Sequence, residues 1–309
     1  MNRIILTLLI SLFLTPVCFA SDNYIAYADK SVRNSKQETQ QLEKEIRAAL
    51  KRQVFYTNHF DKEKLKSVYA DNYLNADGFN KTMYFELVDK TWQLYPDIKY
   101  TMFINKIDIT GNTAIVYVNE NAVATTTEKV DETEIKGYLK SYSDSIYYME
   151  KVGDNWLITS DCTISEKTTL TYGEANEIKM DLIVPQLVYA GKEYTASLNV
   201  TVPDKKMLTI ASIGQEHITY PHVNAQEVYR KLPESGILER IFRANTGNYN
   251  EYTVGSVGIT RAKVNSNKEV KLVVTGLGYI ITRTNVTSSK DFSKVKENGK
   301  KETSAKLVE

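Results

Sequence analysis

Residues 147–161 read YYMEKVGDNWLITSD, and this stretch decides the fold that we predict for the chain. Two runs suited to β-strands flank a Gly153-Asp154-Asn155 turn, and the second run opens with Trp156. Gly and Asn in a tight turn between such runs are typical of a β-hairpin, and the indole is placed to face a core. The rest of the chain must then supply elements that cover one face of this sheet.

The residues before the hairpin predict three helices. From residue 35 onward, Leu, Ile or Val recurs at every fourth position over 42–54, which places an apolar stripe on one helical face. Asp61 is a suitable cap for a second, shorter helix. A third helix is expected over 80–94, because Pro96 cannot continue it.

Alternating apolar and polar residues then predict four antiparallel strands in a meander, over 98–109, 114–127, 135–152 and 155–172. Three helices followed by such a meander indicate an α+β layer, with the helices packed on one face of the sheet.

Two motifs give this region a family resemblance over about residues 35–172. The segment 69–73 reads YADNY and resembles the "YADD" segment of the NTF2-like, SnoaL-like superfamily. The opening hairpin resembles the closing "F-x-K-x-x-G-x-W-x-I" hairpin of that superfamily. The resemblance implies a cone, in which three helices pack on a curved antiparallel sheet and enclose a pocket, and a homodimer formed through the exposed sheet face. The residues that carry the hairpin match are Tyr148, Lys151, Gly153, Trp156 and Ile158.

Residues 178–288 have a different, all-β character. Short alternating strands separated by turns predict an immunoglobulin-like β-sandwich, with 224–230 and 236–243 expected to be helix-like or irregular interruptions. Its opening, over 184–198, resembles the C-terminal sandwich domains of the gliding-motility GldM family, from which no function is carried across. The Lys-rich end, 289–309, has the composition of a disordered tail.

The N-terminus has the features of a secretory signal peptide over residues 1–20. Arg3 precedes an apolar run that is too short for a comfortable membrane span, and small residues precede a cut after Ala20. Cys18 leaves lipidation or a retained anchor as alternatives, although Val17 is not the usual residue before a lipid-modified Cys. We therefore expect an exported protein, periplasmic or secreted, that contacts the membrane only through this segment and continues with a linker over 21–34.

Charge and composition exclude several classes of function. Arg3 is the only charged residue that cleavage after Ala20 would remove, which leaves 38 basic and 38 acidic residues. The mature chain therefore lacks the basic excess that nucleic-acid binding needs. Cys162 is then the only cysteine. No phosphate-binding loop, hydrolase motif or zinc spacing occurs, so the sequence predicts neither a cofactor nor a metal.

Candidate site residues follow from the resemblance. In ketosteroid-isomerase-like members, a carboxylate after the "YADD" segment removes a proton, and a Tyr on the first helix and a second acid on a strand stabilise the oxyanion. Asp77 falls near the base position, although Asn75-Ala76-Asp77-Gly78 is also a good turn. Gln53 occupies the Tyr position. Residues predicted to contact a small amphipathic ligand, or alternatively to pack the core, are Gln53, Tyr56, Tyr69, Trp92 and Tyr117.

Two hypotheses remain from the sequence. In the first, an exported, non-catalytic protein binds a small ligand or an envelope protein through its NTF2-like domain (35–174), and the sandwich serves assembly or adhesion. In the second, the pocket belongs to a small-molecule isomerase, dehydratase or hydrolase with Asp77 as its base. The position of Asp77 relative to a cavity distinguishes the two.

Overall fold

The computed structural model describes residues 32–129, 135–203, 207–223, 227–247, 249–264 and 269–288. The predicted signal peptide, most of the predicted linker and the Lys-rich tail lie outside the described residues. No helix in these ranges is long and apolar enough to cross a membrane.

Three helices come first in the chain, and the first begins three residues before its predicted start at residue 35. Asp61 and Asn80 cap the second and third helices, and each side chain accepts a hydrogen bond from the backbone N–H three residues later. The bounds are Val32–Asn58 for α1, Lys62–Lys66 for α2 and Lys81–Leu94 for α3.

Four long antiparallel strands follow, and each pairs with the next along the chain. Gly153 takes a φ of +60° in the turn between the third and fourth strands, which a residue with a Cβ adopts less readily. Trp156 is fully buried, and its indole N–H donates to Glu45 of α1 at 3.3 Å. The hairpin is therefore as predicted. The strands are β1 Lys99–Thr110, β2 Thr113–Lys129, β3 Lys136–Val152 and β4 Asn155–Gly173.

Eight further strands lie in the described part of the C-terminal region. The prediction that 236–243 is helix-like or irregular was wrong, because this segment forms a strand that pairs with β7 and turns Leu238 and Phe242 toward the core. The strands are β5 Lys179–Ile183, β6 Leu187–Tyr189, β7 Glu193–Thr201, β8 Leu208–His217, β9 Arg230–Lys231, β10 Ile237–Arg243, β11 Glu251–Val264 and β12 Val270–Thr287.

One large sheet runs through both regions of the chain. Its order is β1-β2-β3-β4-β12-β11-β8-β9, with β6 added in parallel beside β12, and β10-β7-β5 form a separate three-stranded sheet. The junction is the antiparallel pairing of β4 with β12. Gly173 ends β4 with a φ of +54°, and a Cβ there would lie 2.3 Å from the carbonyl oxygen of Thr275. The backbones therefore approach closely where the two regions join.

Three clusters of buried apolar side chains fill the molecule. One lies between α1, α3 and the first strands, and a second packs α3 against β2, β4, β11 and β12. The third joins the small sheet to the opposite face of β8, β11 and β12. The C-terminal part of the large sheet is thus covered on both faces. The immunoglobulin-like classification of 178–288 and the domain boundaries stay predictions.

Candidate functional site

The interior between α1, α3, β1 and β2 contains a small cavity with polar walls. Its volume is about 20 Å³, which holds roughly one water molecule. A drug-sized ligand needs a pocket of roughly 300 Å³ or more. Its lining includes Gln53, Tyr84, Thr91, Trp92, Tyr100 and Glu120.

Glu120 supplies the carboxyl group of this cavity. It occupies an inward position of β2, between Val118 and Ala122, and only 5% of it is exposed. Tyr147 on the neighbouring strand donates a hydrogen bond to its Oε1 at 2.9 Å. Burial raises the pKa of Glu120 to about 8, and the Tyr147 hydrogen bond opposes the rise. At neutral pH the carboxyl group is therefore mostly protonated.

Tyrosine side chains close the space around the cavity. The hydroxyls of Tyr69 and Tyr84 are 2.8 Å apart, and Gln53 Nε2 donates to Tyr69 at 3.4 Å. Behind them, Tyr73 donates to Asp161 Oδ2 at 2.6 Å. Burial raises the pKa of Tyr69 and Tyr84 above the ordinary value of 10.0, so these hydroxyls stay protonated and act as neutral hydrogen-bonding groups.

Three atoms that line the cavity have no hydrogen-bond partner among the described residues: Gln53 Oε1, Thr91 Oγ1 and Glu120 Oε2. Buried polar atoms are nearly always satisfied by protein or by ordered water. The cavity is large enough for one water molecule, which can satisfy buried polar atoms of this kind. This arrangement can bind one small hydrogen-bonding group.

Only some of the residues predicted to contact a ligand line the cavity. Gln53 and Trp92 line the cavity, and Tyr69 lies behind Gln53. Tyr56 is half-buried on α1, where the ammonium of Lys64 lies 5.9 Å from its ring centre. Tyr117 faces away from the cavity, because successive side chains of a strand alternate between faces and Tyr117 is an odd number of positions from Glu120.

Asp77 does not reach the cavity, so the structure corrects its assignment as a base. Its carboxylate is 3% exposed and pairs with the fully buried guanidinium of Arg283 on β12, with Nη2 3.2 Å from Oδ1. Asn250 Nδ2 donates to the same oxygen at 2.5 Å. Burial raises the pKa of Asp77, and the charge of Arg283 opposes the rise. The turn itself is held by the side chain of Asn75.

Sequence reasoning missed the roles of Glu120 and Arg283. Each carries a usable signal, since a charged residue at an inward position of an otherwise apolar strand must be neutral or paired. Metal binding has no support in the described ranges, where no cluster of three or more His, Cys, Asp or Glu side chains could hold an ion. The Nε2 atom of His222 lies 3.1 Å from Oε2 of Glu216.

Comparison with known proteins gives similarity at the level of solved structures. No family model matches the chain, and no curated protein matches it. The chain is similar to an NTF2-like superfamily protein from Salmonella enterica, with 13% identity, a TM-score of 0.34 and coverage of 40% of this chain and 91% of the other. The similarity covers about 40% of the chain, and the C-terminal region is rich in β-strands.

Two further solved structures are similar over the same share of the chain. A conserved protein from Planctomyces limnophilus is 16% identical, with a TM-score of 0.35 and coverage of 40% of this chain and 94% of the other. A hexachlorocyclohexane dehydrochlorinase from Novosphingobium barchaimii is 10% identical, with a TM-score of 0.34 and coverage of 41% and 88%. Similarities this low bear on neither substrate nor mechanism.

Proposed function

We propose that this chain is an exported, non-catalytic protein that binds another protein through the outer face of strands β1–β4. The observation that carries the proposal is the filled interior. Where a substrate would sit, aromatic side chains leave about 20 Å³, and Asp77 is held in an ion pair outside that space. The sequence features of a signal peptide support export.

The outer face is the side of the β1–β4 sheet that turns away from the helices. Several of its large apolar side chains are exposed to solvent, with Phe103 63% exposed and Tyr142 44% exposed. On the same face, the hydroxyl of Tyr142 donates a hydrogen bond to the carboxylate of Asp144 at 2.7 Å, and the hydroxyl of Ser165 donates to the same carboxylate at 2.6 Å. Exposed aromatic side chains are enriched at protein–protein interfaces. Other exposed apolar members are Ile115, Val123 and Tyr138.

A second copy of the chain is the partner that we propose for this face, because the NTF2-like resemblance implies a homodimer formed there. An envelope protein is the other outcome. The C-terminal region, with its predicted immunoglobulin-like sandwich, would then extend away from the dimer as an assembly or adhesion module.

Sedimentation equilibrium of residues 21–309 tests this proposal. We expect a dimer, and we expect Phe103→Asp to shift the protein to monomer because it places a charge within the apolar contact. Ile241→Asp on β10 is the matched control, since Ile241 is 68% exposed on a different surface. Two results together would overturn the proposal. The native protein would stay monomeric at high concentration, and no envelope protein would bind the native protein while failing to bind Phe103→Asp.

Acid catalysis in the interior is the second candidate function, and Glu120 is the observation that favours it. A protonated carboxyl group with a pKa of about 8 could transfer a proton in an isomerase, dehydratase or hydrolase reaction. The cavity would first have to open. Turnover of a small-molecule substrate that Glu120→Gln abolishes and Asp77→Asn retains would establish this function in place of the first.

A further inference from the structure

The C-terminal region has a second cavity. It lies where β10, an edge strand of the small sheet, approaches β8 and β9 at the end of the large sheet. Arg240 Nη1 of β10 donates to the carbonyl oxygen of Ile213 on β8 at 2.6 Å, and Gln215 Nε2 of β8 donates to that of Arg243 at 3.1 Å. These side chains bridge the sheet edges without a backbone ladder. Beside the hydrogen bond of Arg240 to Ile213 lies a space of about 120 Å³, which we call the lateral cavity. Its lining is Ile213, Val228, Arg230, Leu238, Glu239 and Arg240.

Two arginines enter the lateral cavity from opposite sheets. Arg230 pairs with Ala211, and Arg240 pairs with Ala196. Both alanines are fully buried in the core between the sheets. Because residues paired across two strands share a face, both arginines lie on the core-facing sides of the two sheet edges, where their side chains stay exposed to solvent. Glu239 also lines the cavity, although it pairs with Ser197 on the other face of β10.

These two positive charges lack an acidic partner. Among the described residues, no carboxylate lies within 4.0 Å of either guanidinium, whereas Arg243 on the same strand has Glu193 at 2.8 Å. Arg240 is nevertheless held in place by the Ile213 carbonyl and by the Phe242 ring, 4.9 Å from its guanidinium carbon. Two like charges that face one cavity repel each other unless an anion lies between them.

We propose that the lateral cavity binds an oxyanion, and that its best ligand is a carboxylate on a short aliphatic chain. The guanidinium groups can each bind a carboxylate oxygen pair through charge-assisted hydrogen bonds. Ile213, Val228 and Leu238 give the cavity an apolar wall that contacts the aliphatic part. A phosphate group shares the anionic chemistry but gains nothing from this wall.

Thermal unfolding at constant ionic strength tests the site, with sodium chloride replaced stepwise by sodium butyrate, acetate or phosphate. We expect butyrate to raise the Tm in a saturable way, because a ligand of the folded state stabilises it by mass action, and acetate and phosphate to do so less. Arg230→Gln should weaken the apparent affinity for butyrate at least about tenfold. Arg230 is exposed, so this variant should fold.

Two matched variants complete the experiment. Arg240→Lys keeps the charge but loses the planar fork, so it should also weaken butyrate binding. Arg243→Gln removes an exposed arginine of the same strand that faces away from the cavity, and it should bind butyrate as the native protein does. An equal Tm response in the native protein and in Arg230→Gln would overturn the site. A stronger response to phosphate than to butyrate would overturn the carboxylate assignment.

Discussion

The replacement Glu120→Gln tests the acidic interior most sharply. The folded protein holds the proton of Glu120 with a pKa of about 8, against an ordinary value of 4.5. The folded state therefore binds this proton more tightly than the unfolded chain does. The proton on Glu120 therefore contributes its full stabilisation to the folded state below about pH 4.5. This contribution is lost as the pH rises toward 8, and it changes no further once Glu120 is ionised in both the folded and the unfolded state.

The size of the effect follows from the same pKa difference. It corresponds to about 5 kcal/mol of unfolding free energy lost between the two pKa values. Water entering the cavity would reduce this, so we expect about 2–4 kcal/mol. A glutamine is neutral at every pH and has a similar shape. The variant should therefore match the native protein to within about 1 kcal/mol near pH 5 and exceed its stability by about 2–4 kcal/mol near pH 8.

Urea unfolding of the native protein and of Glu120→Gln at several pH values between about 5 and 8 measures this difference. Taking the difference cancels the contributions of other buried acids, such as Glu166, whose pKa is also raised by burial. Glu150→Gln on β3 is the matched control, because Glu150 is exposed. A stability difference that does not change with pH would refute the reasoning, since Glu120 would then ionise as it does in water.

Three other replacements test the junction between the two regions and the tyrosine bond to Glu120. Arg283→Met should destabilise the protein by about 3–5 kcal/mol in urea unfolding, because it leaves Asp77 buried without its cation, and Asp77→Asn in the same chain should recover much of the loss. Gly173→Ala should cost about 2 kcal/mol or more, read as a lower Tm, because its Cβ would meet the Thr275 carbonyl oxygen at 2.3 Å. Tyr147→Phe should cost about 1 kcal/mol near pH 8, where the hydrogen bond to the ionised Glu120 matters most, and less near pH 5.

Local patterns predicted much of the fold. The cap Asp61, the turn at Gly153 and the burial of Trp156 depend on neighbours within a few positions, so the sequence contains the whole signal. The failure over 236–243 has the opposite cause. That segment is a strand because β7 pairs with it, and a partner strand about 40 residues away leaves no local pattern.

The candidate site was less predictable for the same reason. Asp77 looked like a turn residue or a base, because its partner Arg283 is 206 positions away. Gln53, which the family resemblance had indicated, and Trp92 were found among the lining residues of the cavity. Tyr117 was not, although strand alternation separates it from Glu120. The small volume of the cavity depends on how Tyr69, Tyr84 and their neighbours pack together, and periodicity does not determine packing.

We propose that the outer face of β1–β4 binds a protein, while the filled interior binds no substrate. Amide NMR spectra of residues 21–309, recorded during dilution from millimolar to micromolar concentration, test it most directly. We expect concentration-dependent shifts confined to the outer face, around Phe103, Tyr138 and Tyr142, and none at Gln53, Thr91 or Glu120. Shifts absent from the outer face, together with shifts around the Glu120 cavity when a mixture of small metabolites is added, would contradict the claim.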